Sequence, residues 1–436
     1  MANKIESSLN LLLDAAKKLG AESTTVIANE NTSVNVAARL GKLENVERNE
    51  SSSIGLEIID KKRKVSLSST NLNKESLEEL AKNAMNMVKS IPIDEYCGLA
   101  DKNMLYYGNL DLDLVDNYIP ENNDLLKNSI EAEDSALNIK GITNSEGASS
   151  SYSKNKFYLA TSDGFFNTND KTNYSTGISV IAGKGTKMER DYEYQSKVHF
   201  SDLDTPKKIG EKAAERAISR LNPKKVKSNS VPVIFDPRVS GSLLSLFIGG
   251  ISGQAITRGT SFLKDKMNKD IFKNTINIID NPHIKRGARS LPFDGEGVAT
   301  KKLKLVENGK LKSWLLNSQY ARQLNLKSTG HYSGASNLYM SPGKKTNLEL
   351  IKSIDQGFYI TEMLGMSFSQ VTGDYSRGAS GYWIEKGEKA YPVSEVTIAG
   401  NILDMYNMLT PASDLKMITG IDAPTLMIDK MIVAGL

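Results

Sequence analysis

The chain has 436 residues, which is too long for a single hydrophobic core, because one core stops growing at roughly 250 to 300 residues. A hydrophobic content of 39% and a charged content of 24% exclude a disordered or fibrous protein. The 55 basic residues nearly balance the 51 acidic ones, and no basic cluster is interleaved with aromatic residues, which argues against a nucleic-acid-binding surface.

The N-terminal segment predicts an amphipathic helix that packs on the core. Apolar residues recur at helical spacing over residues 1–20, and Glu6 and Asp14 interrupt the apolar run. A signal peptide has an uninterrupted apolar region, so these carboxylates argue against one. The longest largely apolar stretch, 243–251, is far shorter than the roughly 20 residues of a membrane span. We therefore expect no transmembrane segment.

Residues 1–110 predict an α-β-β-β-α unit. Three alternating, β-branched runs follow the first helix, and a second helix with Ser76 as its N-cap follows them. The runs are 24–28, 33–40 and 53–68, and the second helix is 73–90. We interpret the basic residues 61–64 as a hairpin tip rather than as a DNA contact.

Cys97 is the only cysteine, which excludes an intrachain disulfide. A reducing, cytoplasmic compartment fits this composition. Cys97 lies in a short connection with no histidine nearby in sequence, so we interpret it as an inert thiol rather than as a nucleophile.

Residues 111–225 repeat the same element order more loosely. The predicted helices are 121–138 and 205–221, and the β-runs between them are 139–144, 146–161, 173–182 and 190–200. No residue-level repeat is detectable, so the likeness is one of element order. Asn222-Pro223 and the Lys/Ser-rich stretch to Ser230 mark the clearest domain boundary.

Residues 226–436 have a different composition: they are glycine-rich, with short strands and few long helices. The predicted fold class is therefore α+β. Two α-β-β-β-α-like units, 1–110 and 111–225, make up the N-terminal region, and a β-rich C-terminal domain, 226–436, follows them.

No spacing of ligand residues predicts a metal site. His199, His283 and His331 are isolated in the sequence, and neither HExxH nor HExxxH occurs. Catalytic zinc takes three side-chain ligands and an open water position. We therefore assign no metal ligand and no catalytic residue to this chain, and we interpret the histidines as structural or solvated.

Three glycine-containing segments fail the motif that each superficially suggests. The segment 378–382 lacks the second glycine of a nucleophile elbow, and 183–187 lacks the P-loop spacing. Asp294-Gly295-Glu296-Gly297 has two carboxylates but no third acid at calcium-loop spacing. We attribute the first set of glycines to backbone geometry and interpret the other two segments as turns.

The segment from Asp374 to Arg377 has two open interpretations. Asp374 and Glu385 flank it, and a carboxylate with an arginine three residues on could orient a polar ligand. The same two charges could form a structural ion pair within a turn.

The C-terminal third resembles the signature of the TldD/PmbA family, beginning with Thr372-Gly373-Asp374-Tyr375-Ser376-Arg377-Gly378 and continuing to Glu385. Further segments resemble the family in the same order along the chain: 258–263, 337–339, 342–343, 391–393, 397–401 and 431–435. In that family the TldD-type subunit has HExxxH on a helix, and the PmbA/TldE-type subunit lacks it. Here the matching helix reads Leu244-Ser245-Leu246-Phe247-Ile248-Gly249, so the resemblance is to a PmbA/TldE-type subunit.

The resemblance implies a heterodimer with a TldD-like zinc peptidase that admits unfolded peptides in extended form. Zinc is then expected in the partner and no cofactor in this chain, and a homodimer is left open when the partner is absent. We assign peptide or partner binding to Asp374, Tyr375, Ser376 and Arg377. Two alternatives stay open: a stand-alone regulatory protein, in line with the family description as a modulator of DNA gyrase, and an independent hydrolase that uses Asp374, Ser376 or Arg377.

Overall fold

The computed structural model describes residues 2–436, and its N-terminal region alternates helices with long antiparallel strands. In chain order the elements are α1 (Ala2–Lys18), β1 (Ser23–Arg39), β2 (Lys42–Asp60), β3 (Arg63–Ser69), α2 (Lys74–Val88), α3 (Asn122–Leu137), β4 (Ile142–Thr161), β5 (Phe166–Ala182), β6 (Glu189–Lys197) and α4 (Pro206–Ser219).

Several strands are longer than the sequence pattern predicts. The runs 24–28 and 33–40 are a single strand, β1, and the runs 139–144 and 146–161 are a single strand, β4. The run 53–68 contains the end of β2, a turn and β3. Lys61 and Lys62 form that turn with positive φ values, which agrees with a hairpin tip. Ser76 is not the N-cap of α2, because the Asn73 side chain accepts the hydrogen bond from the Ser76 amide.

The six strands form one sheet in the order β3-β2-β1-β4-β5-β6. Antiparallel pairing between β1 and β4, from Thr25↔Thr161 to Ala38↔Ala148, joins the two α-β-β-β-α-like units. All four helices pack on one face of this sheet. One core lies beneath α1 and α2, and another beneath α3 and α4. Within residues 2–436, none of these four helices lies on the opposite face, which is named the helix-free face for that reason.

The C-terminal region is rich in β-structure, as predicted. Its elements are β7 (Asn229–Phe235), α5 (Pro237–Gly250), α6 (Gly253–Thr257), β8 (Ile278–Asp280), β9 (Leu303–Glu307), β10 (Lys310–Leu311), α7 (Ser318–Gln323), β11 (Leu338–Met340), α8 (Asn347–Lys352), β12 (Gln356–Phe368), β13 (Asp374–Glu385), β14 (Glu388–Asn401), α9 (Ile402–Asn407), β15 (Leu409–Pro411), β16 (Ile421–Asp422) and β17 (Leu426–Ala434).

Two C-terminal sheets enclose the largest core of the chain. One sheet has the order β14-β13-β12-β7-β17-β15, and β14 also pairs with β17, so that five of its strands close into a ring. The smaller sheet has the order β10-β9-β8-β11-β16. Helix α5 contributes Leu243, Leu244 and Phe247 to the core between them.

Buried ion pairs join the second N-terminal unit to the C-terminal region. The Asp191 carboxylate on β6 accepts a hydrogen bond of 2.7 Å from Arg238 on α5. Arg220, just after α4, lies 3.5 Å from Asp191 and 2.5 Å from Glu362 on β12. Burial alone would raise the pKa of Asp191, but the two guanidinium groups hold it below its usual range. The junction is therefore stabilised by ionised groups that are removed from water.

Candidate functional site

Helix α5 occupies the place where the sequence analysis located the missing zinc motif. Leu244 and Phe247 are fully buried in the core. Ser245 is exposed, and its hydroxyl donates to the Gly241 carbonyl of the same helix. The Gly249 carbonyl accepts a hydrogen bond of 2.8 Å from the Gln370 side chain. Apolar side chains and glycine have no ligand atoms, so the residues of α5 do not fit zinc.

The three histidines lie apart, and each has a partner within the fold. His331 is buried, with Nε2 at 3.0 Å from Asp280 Oδ2 and Nδ1 at 2.9 Å from the Thr329 hydroxyl. His199 Nε2 lies 3.0 Å from a main-chain carbonyl, and His283 Nε2 lies 3.1 Å from a threonine hydroxyl. Among residues 2–436, no group of three or more His, Cys, Asp or Glu side chains is arranged to hold a metal ion.

The segment that includes Asp374 and Arg377 is the start of strand β13, not a turn. Side chains alternate between the two faces of a strand, so Asp374 and Arg377 lie on opposite faces. Asp374 accepts a hydrogen bond of 2.7 Å from the Thr372 hydroxyl, and Arg377 donates one of 2.8 Å to the Gly365 carbonyl. The ion-pair interpretation is therefore wrong.

The other residues of this segment are divided between core and surface. Tyr375 is buried beside Met363, and Ser376 is half-buried between β12 and β14. Glu385 lies at the far end of β13 and accepts a hydrogen bond from Tyr391. The exposed apolar side chains of Leu364 and Val371 lie in β12 and in the turn that follows it, close to the start of β13 in the chain. Leu364 pairs with Gly378, four residues along β13 from Asp374, and Val371 precedes Asp374 by three residues in the chain.

Close packing against a neighbouring strand explains Gly381, whereas a Cβ atom on Gly378 would meet Leu364 only at 3.3 to 3.4 Å. A Cβ atom on Gly381 would lie 1.9 Å from the Tyr359 carbonyl oxygen on the neighbouring strand, so only glycine fits there. The residues 183–187 form the connection between β5 and β6, which agrees with the predicted hairpin turn.

A cavity of about 450 Å³ lies between the helix-free face of the N-terminal sheet and loops of the C-terminal region. Its floor consists of strand residues, among them Ile27, Gly55, Glu57 and Phe157. Its roof consists of three short segments: 98–100, 295–296 and 332–333. The sequence analysis did not identify this site, because residues more than 200 positions apart in the chain form it.

Arg322 fixes one part of the roof. Its guanidinium donates to the carbonyls of Tyr96 and Gly98, at 3.0 and 3.1 Å, and also to that of Leu99. Because one guanidinium binds three carbonyls, the connection between α2 and α3 has a defined path over the cavity. Cys97 lies inside this segment and is buried, which raises the pKa of its thiol and agrees with an unreactive cysteine.

Glu296 is the titratable group of the cavity with the largest change in pKa. Burial raises the pKa of its carboxyl to about 7, against the lowering effect of two hydrogen bonds from Ser318. Those bonds, 2.9 Å from the amide and 2.7 Å from the hydroxyl, both go to Oε2. Asp294 precedes it in the turn that the sequence predicts, and its Oδ1 accepts hydrogen bonds from the amides of Glu296 and Val298.

The helix-free face of the sheet extends from the cavity and is lined mainly by uncharged polar side chains. Successive residues of a strand point to opposite faces, and the alternate residues are buried beneath the helices. The polar set comprises Asn29, Asn31, Ser33 and Asn35 on β1, Asn49, Ser51 and Ser53 on β2, Ser149, Ser151, Ser153 and Asn155 on β4, and Asn169, Asn173 and Ser175 on β5. Charged side chains also lie on this face: Glu47 is opposite Asn35, and Lys171 is opposite Asn155 and donates to the carbonyls of Gly287 and Ala288. Such a face offers many hydrogen bonds with little selectivity for side-chain charge.

Family models match this chain along most of its length. They are described as PmbA/TldA metallopeptidase domain 1 at residues 25–88, the central domain at 116–221 and the C-terminal domain at 228–435. The fold and these matches define a member of a metallopeptidase family. The chain belongs to the PmbA/TldD family and is of the PmbA/TldE type, which confirms the resemblance found in the sequence.

Similar proteins cover the whole chain. Metalloprotease PmbA of Escherichia coli O157:H7 is 36% identical over 98% of this chain and 95% of its own length. The PmbA homolog of Haemophilus influenzae is 35% identical, with coverages of 99% and 96%.

Solved structures show the same fold. A Bacteroides thetaiotaomicron protein named for modulation of DNA gyrase superposes with a TM-score of 0.93 at 28% identity, covering 99% of both chains. TldE of Thermococcus kodakarensis superposes with a TM-score of 0.85 at 19% identity, covering 98% of this chain and all of the other. No helix within residues 2–436 has the length and apolar composition needed to cross a membrane.

Proposed function

We propose that this chain is the non-catalytic PmbA/TldE-type subunit of a peptidase and pairs with a TldD-like zinc metallopeptidase that acts on unfolded peptides. One observation carries the proposal: a chain of a metallopeptidase family has buried apolar residues, a serine and glycine on the helix where metal ligands are required. The partner would supply the zinc and the activated water, and this chain would bind and position the peptide. A cytoplasmic location is part of the proposal.

The helix-free sheet face supports a role in holding extended peptides. Its Asn and Ser side chains can hydrogen-bond a peptide main chain, which is common to all sequences. The outer edge of β2 before Ile54 also has main-chain groups available for an added strand, because β3 pairs only with residues 54–60. Both surfaces would favour extended peptides over folded proteins.

The first test compares metal content and peptidase activity of the pure chain, the TldD-like protein of the same cell, and their mixture. We expect a metal-free, inactive chain and a mixture that binds zinc and cleaves an unfolded peptide. Stoichiometric metal and cleavage by the chain alone would refute the proposal and favour the independent hydrolase. The regulatory alternative predicts instead that gyrase supercoiling changes when the chain is added without the partner.

We further propose that the surface around Asp374, Tyr375, Ser376 and Arg377 contacts the partner or the peptide. Asp374 is exposed, and the exposed apolar residue Val371 precedes it by three residues in the chain, which supports this choice. Asp374→Ala should weaken complex formation, measured by titration calorimetry with the TldD-like protein. Glu385→Ala is the matched control, because it removes an exposed carboxylate from the other end of the same strand. Equal affinities for the two variants would exclude a partner contact at this surface, and equal affinities for an unfolded peptide would exclude a peptide contact.

A further inference from the structure

The cavity beneath the loops of the C-terminal region has one acidic group with an oxygen available to a ligand. Glu296 Oε2 is held by the amide and hydroxyl of Ser318, whereas within residues 2–436 no donor bonds Oε1. The two Ser318 bonds fix the carboxylate, and it lines the cavity. The site is therefore an oriented hydrogen-bond acceptor in a cavity that is open to solvent on one side.

The other carboxylate of the cavity already has partners. Glu57 Oε2 accepts a hydrogen bond of 3.1 Å from the Ser66 hydroxyl and lies 3.6 Å from the Lys64 ammonium. Glu57 belongs to the floor and Glu296 to the roof, so a ligand between them meets one neutralised carboxylate and one unpaired oxygen. This asymmetry favours a ligand with a single positive group at one end.

The cavity is continuous with the polar sheet face. Phe157, on the cavity floor, lies opposite Asn29, the first amide side chain of that face on β1. Beyond it, Asn31 pairs with Ser51 and Asn155, and Ser33 pairs with Asn49 and Ser153. Lys171 continues the row through Asn155, and its ammonium is held by the carbonyls of Gly287 and Ala288. An extended molecule that begins in the cavity can therefore continue over rows of mainly neutral donors and acceptors.

We infer that the cavity binds the primary ammonium group of an extended peptide, which donates a hydrogen bond to Glu296 Oε1 while the peptide continues along the Asn/Ser face. Two sources have this chemistry: the amino terminus of the peptide and a lysine side chain. An ammonium group suits the site because it is a charged hydrogen-bond donor, and a carboxylate oxygen is the acceptor with which such a donor forms its stronger hydrogen bonds. The inference rests on the peptide-holding role proposed for the Asn/Ser face, but it concerns binding by this chain alone and requires neither zinc nor the TldD-like partner.

The test measures binding of three short peptides of serine and alanine, each labelled at an amidated C-terminus, by fluorescence anisotropy. One has a free amino terminus, one is acetylated, and one is acetylated but contains a single lysine. We expect the free-amine peptide, the lysine peptide or both to bind roughly tenfold or more tightly than the acetylated peptide, the size expected of a hydrogen bond to a charged group. If the free-amine peptide binds more tightly than the acetylated one, the ammonium comes from the amino terminus; if the lysine peptide does, it comes from the lysine side chain.

Glu296→Gln removes the charge while its amide oxygen can still accept the Ser318 bonds. This variant should lose the difference between the charged and acetylated peptides. Glu57→Gln, which removes a carboxylate from the opposite wall, should keep it. Equal binding of all three peptides, no binding of any of them, or an unchanged preference in Glu296→Gln would each overturn the inference. Thermal unfolding of both variants shows whether a lost preference reflects a lost fold.

Discussion

At the scale of single residues, burial decides what the acidic side chains of this chain can do. Glu296 and Asp294 occur in one short turn, yet they differ in their surroundings. Asp294 is almost fully buried and accepts three main-chain hydrogen bonds, whereas Glu296 has an oxygen in the cavity. Burial raises the pKa of Glu296 most, the Asp294 charge adds to this, and the Arg322 charge opposes it. Near neutral pH, Glu296 is therefore close to half protonated.

This shift predicts a pH dependence of stability. The pKa of Glu296 is about 7 in the folded state and about 4.3 in an unfolded chain, so the folded state binds the additional proton between those values. The contribution of Glu296 is then fully present at low pH and is lost as the pH rises from about 4.5 to 7. The free energy of unfolding of the wild type, compared with Glu296→Gln, should fall by about 1 to 3 kcal/mol between pH 4.5 and pH 8.

Urea unfolding of both proteins at these two pH values measures the effect. The charged and titratable groups around Glu296 are Asp294, Arg322, Glu57, Lys64 and Tyr332, and all of them remain in the variant. Parallel pH profiles of wild type and Glu296→Gln would contradict the assignment.

At the scale of elements, β2 combines an exposed half with a buried half. Residues Lys42–Asn49 are exposed throughout, whereas Ile54, Leu56 and Ile58 are buried beneath α1 and α2. The change occurs where β3 begins to pair with β2. Exposed strand edges in natural proteins are commonly protected by charged residues, and this half contains Lys42, Glu44, Glu47, Arg48 and Glu50.

Hydrogen exchange should distinguish the two halves of β2. In 42–53 only the amides that face β1 are hydrogen-bonded, so every second amide should exchange rapidly, whereas amides of 54–60 pair on both edges. Exchange followed by NMR on the pure chain measures this directly. Uniform protection across 42–60 would contradict the prediction and would show that another chain covers the edge.

The boundaries of strand β1 differ from those that the local sequence pattern predicts. The polar residues 29–32 interrupt the apolar alternation, so the sequence predicts two strands where the structure has one. In the sheet these residues pair with both β2 and β4, and Glu30 accepts a hydrogen bond of 2.6 Å from Tyr158. Residues 29–32 belong to a strand because they pair with β2 and β4, and β4 is more than 100 positions away in the chain. The local sequence pattern therefore does not contain this information.

At the scale of the whole molecule, the N-terminal sheet crosses the predicted boundary between the first two units. Tyr158 and Ala160 of β4 lie in the core that α1 and α2 cover. The boundary near residue 225 differs from the first one. Ion pairs and loops connect the N-terminal region to the C-terminal region there, and no ladder of paired strands is shared across it within residues 2–436. We therefore propose 226–436 as a separate domain, and we propose that 1–110 and 111–225 depend on each other for folding.

Fragments test this dependence. The fragment 1–110 lacks β4 and should be unfolded or aggregated, since β1 then has an open edge and the core loses Tyr158 and Ala160. The fragment 1–225 contains all six strands and should keep the sheet. Circular dichroism and thermal unfolding of both fragments measure the difference. A cooperative transition in 1–110 would show that the first unit folds on its own.

The sequence by itself determined the α+β class, most helices, the family and the lack of zinc ligands on α5. These properties depend on local periodicity, on turn residues and on the side chains of short motifs. Residues that are neighbours in the chain are enough to show all three. Only the tertiary structure decided that β1 and β4 pair, that Asp374 and Arg377 lie on opposite faces of β13, and that Glu296 borders a cavity. Strand pairing and burial join residues far apart in the chain, and no local pattern encodes which ones meet.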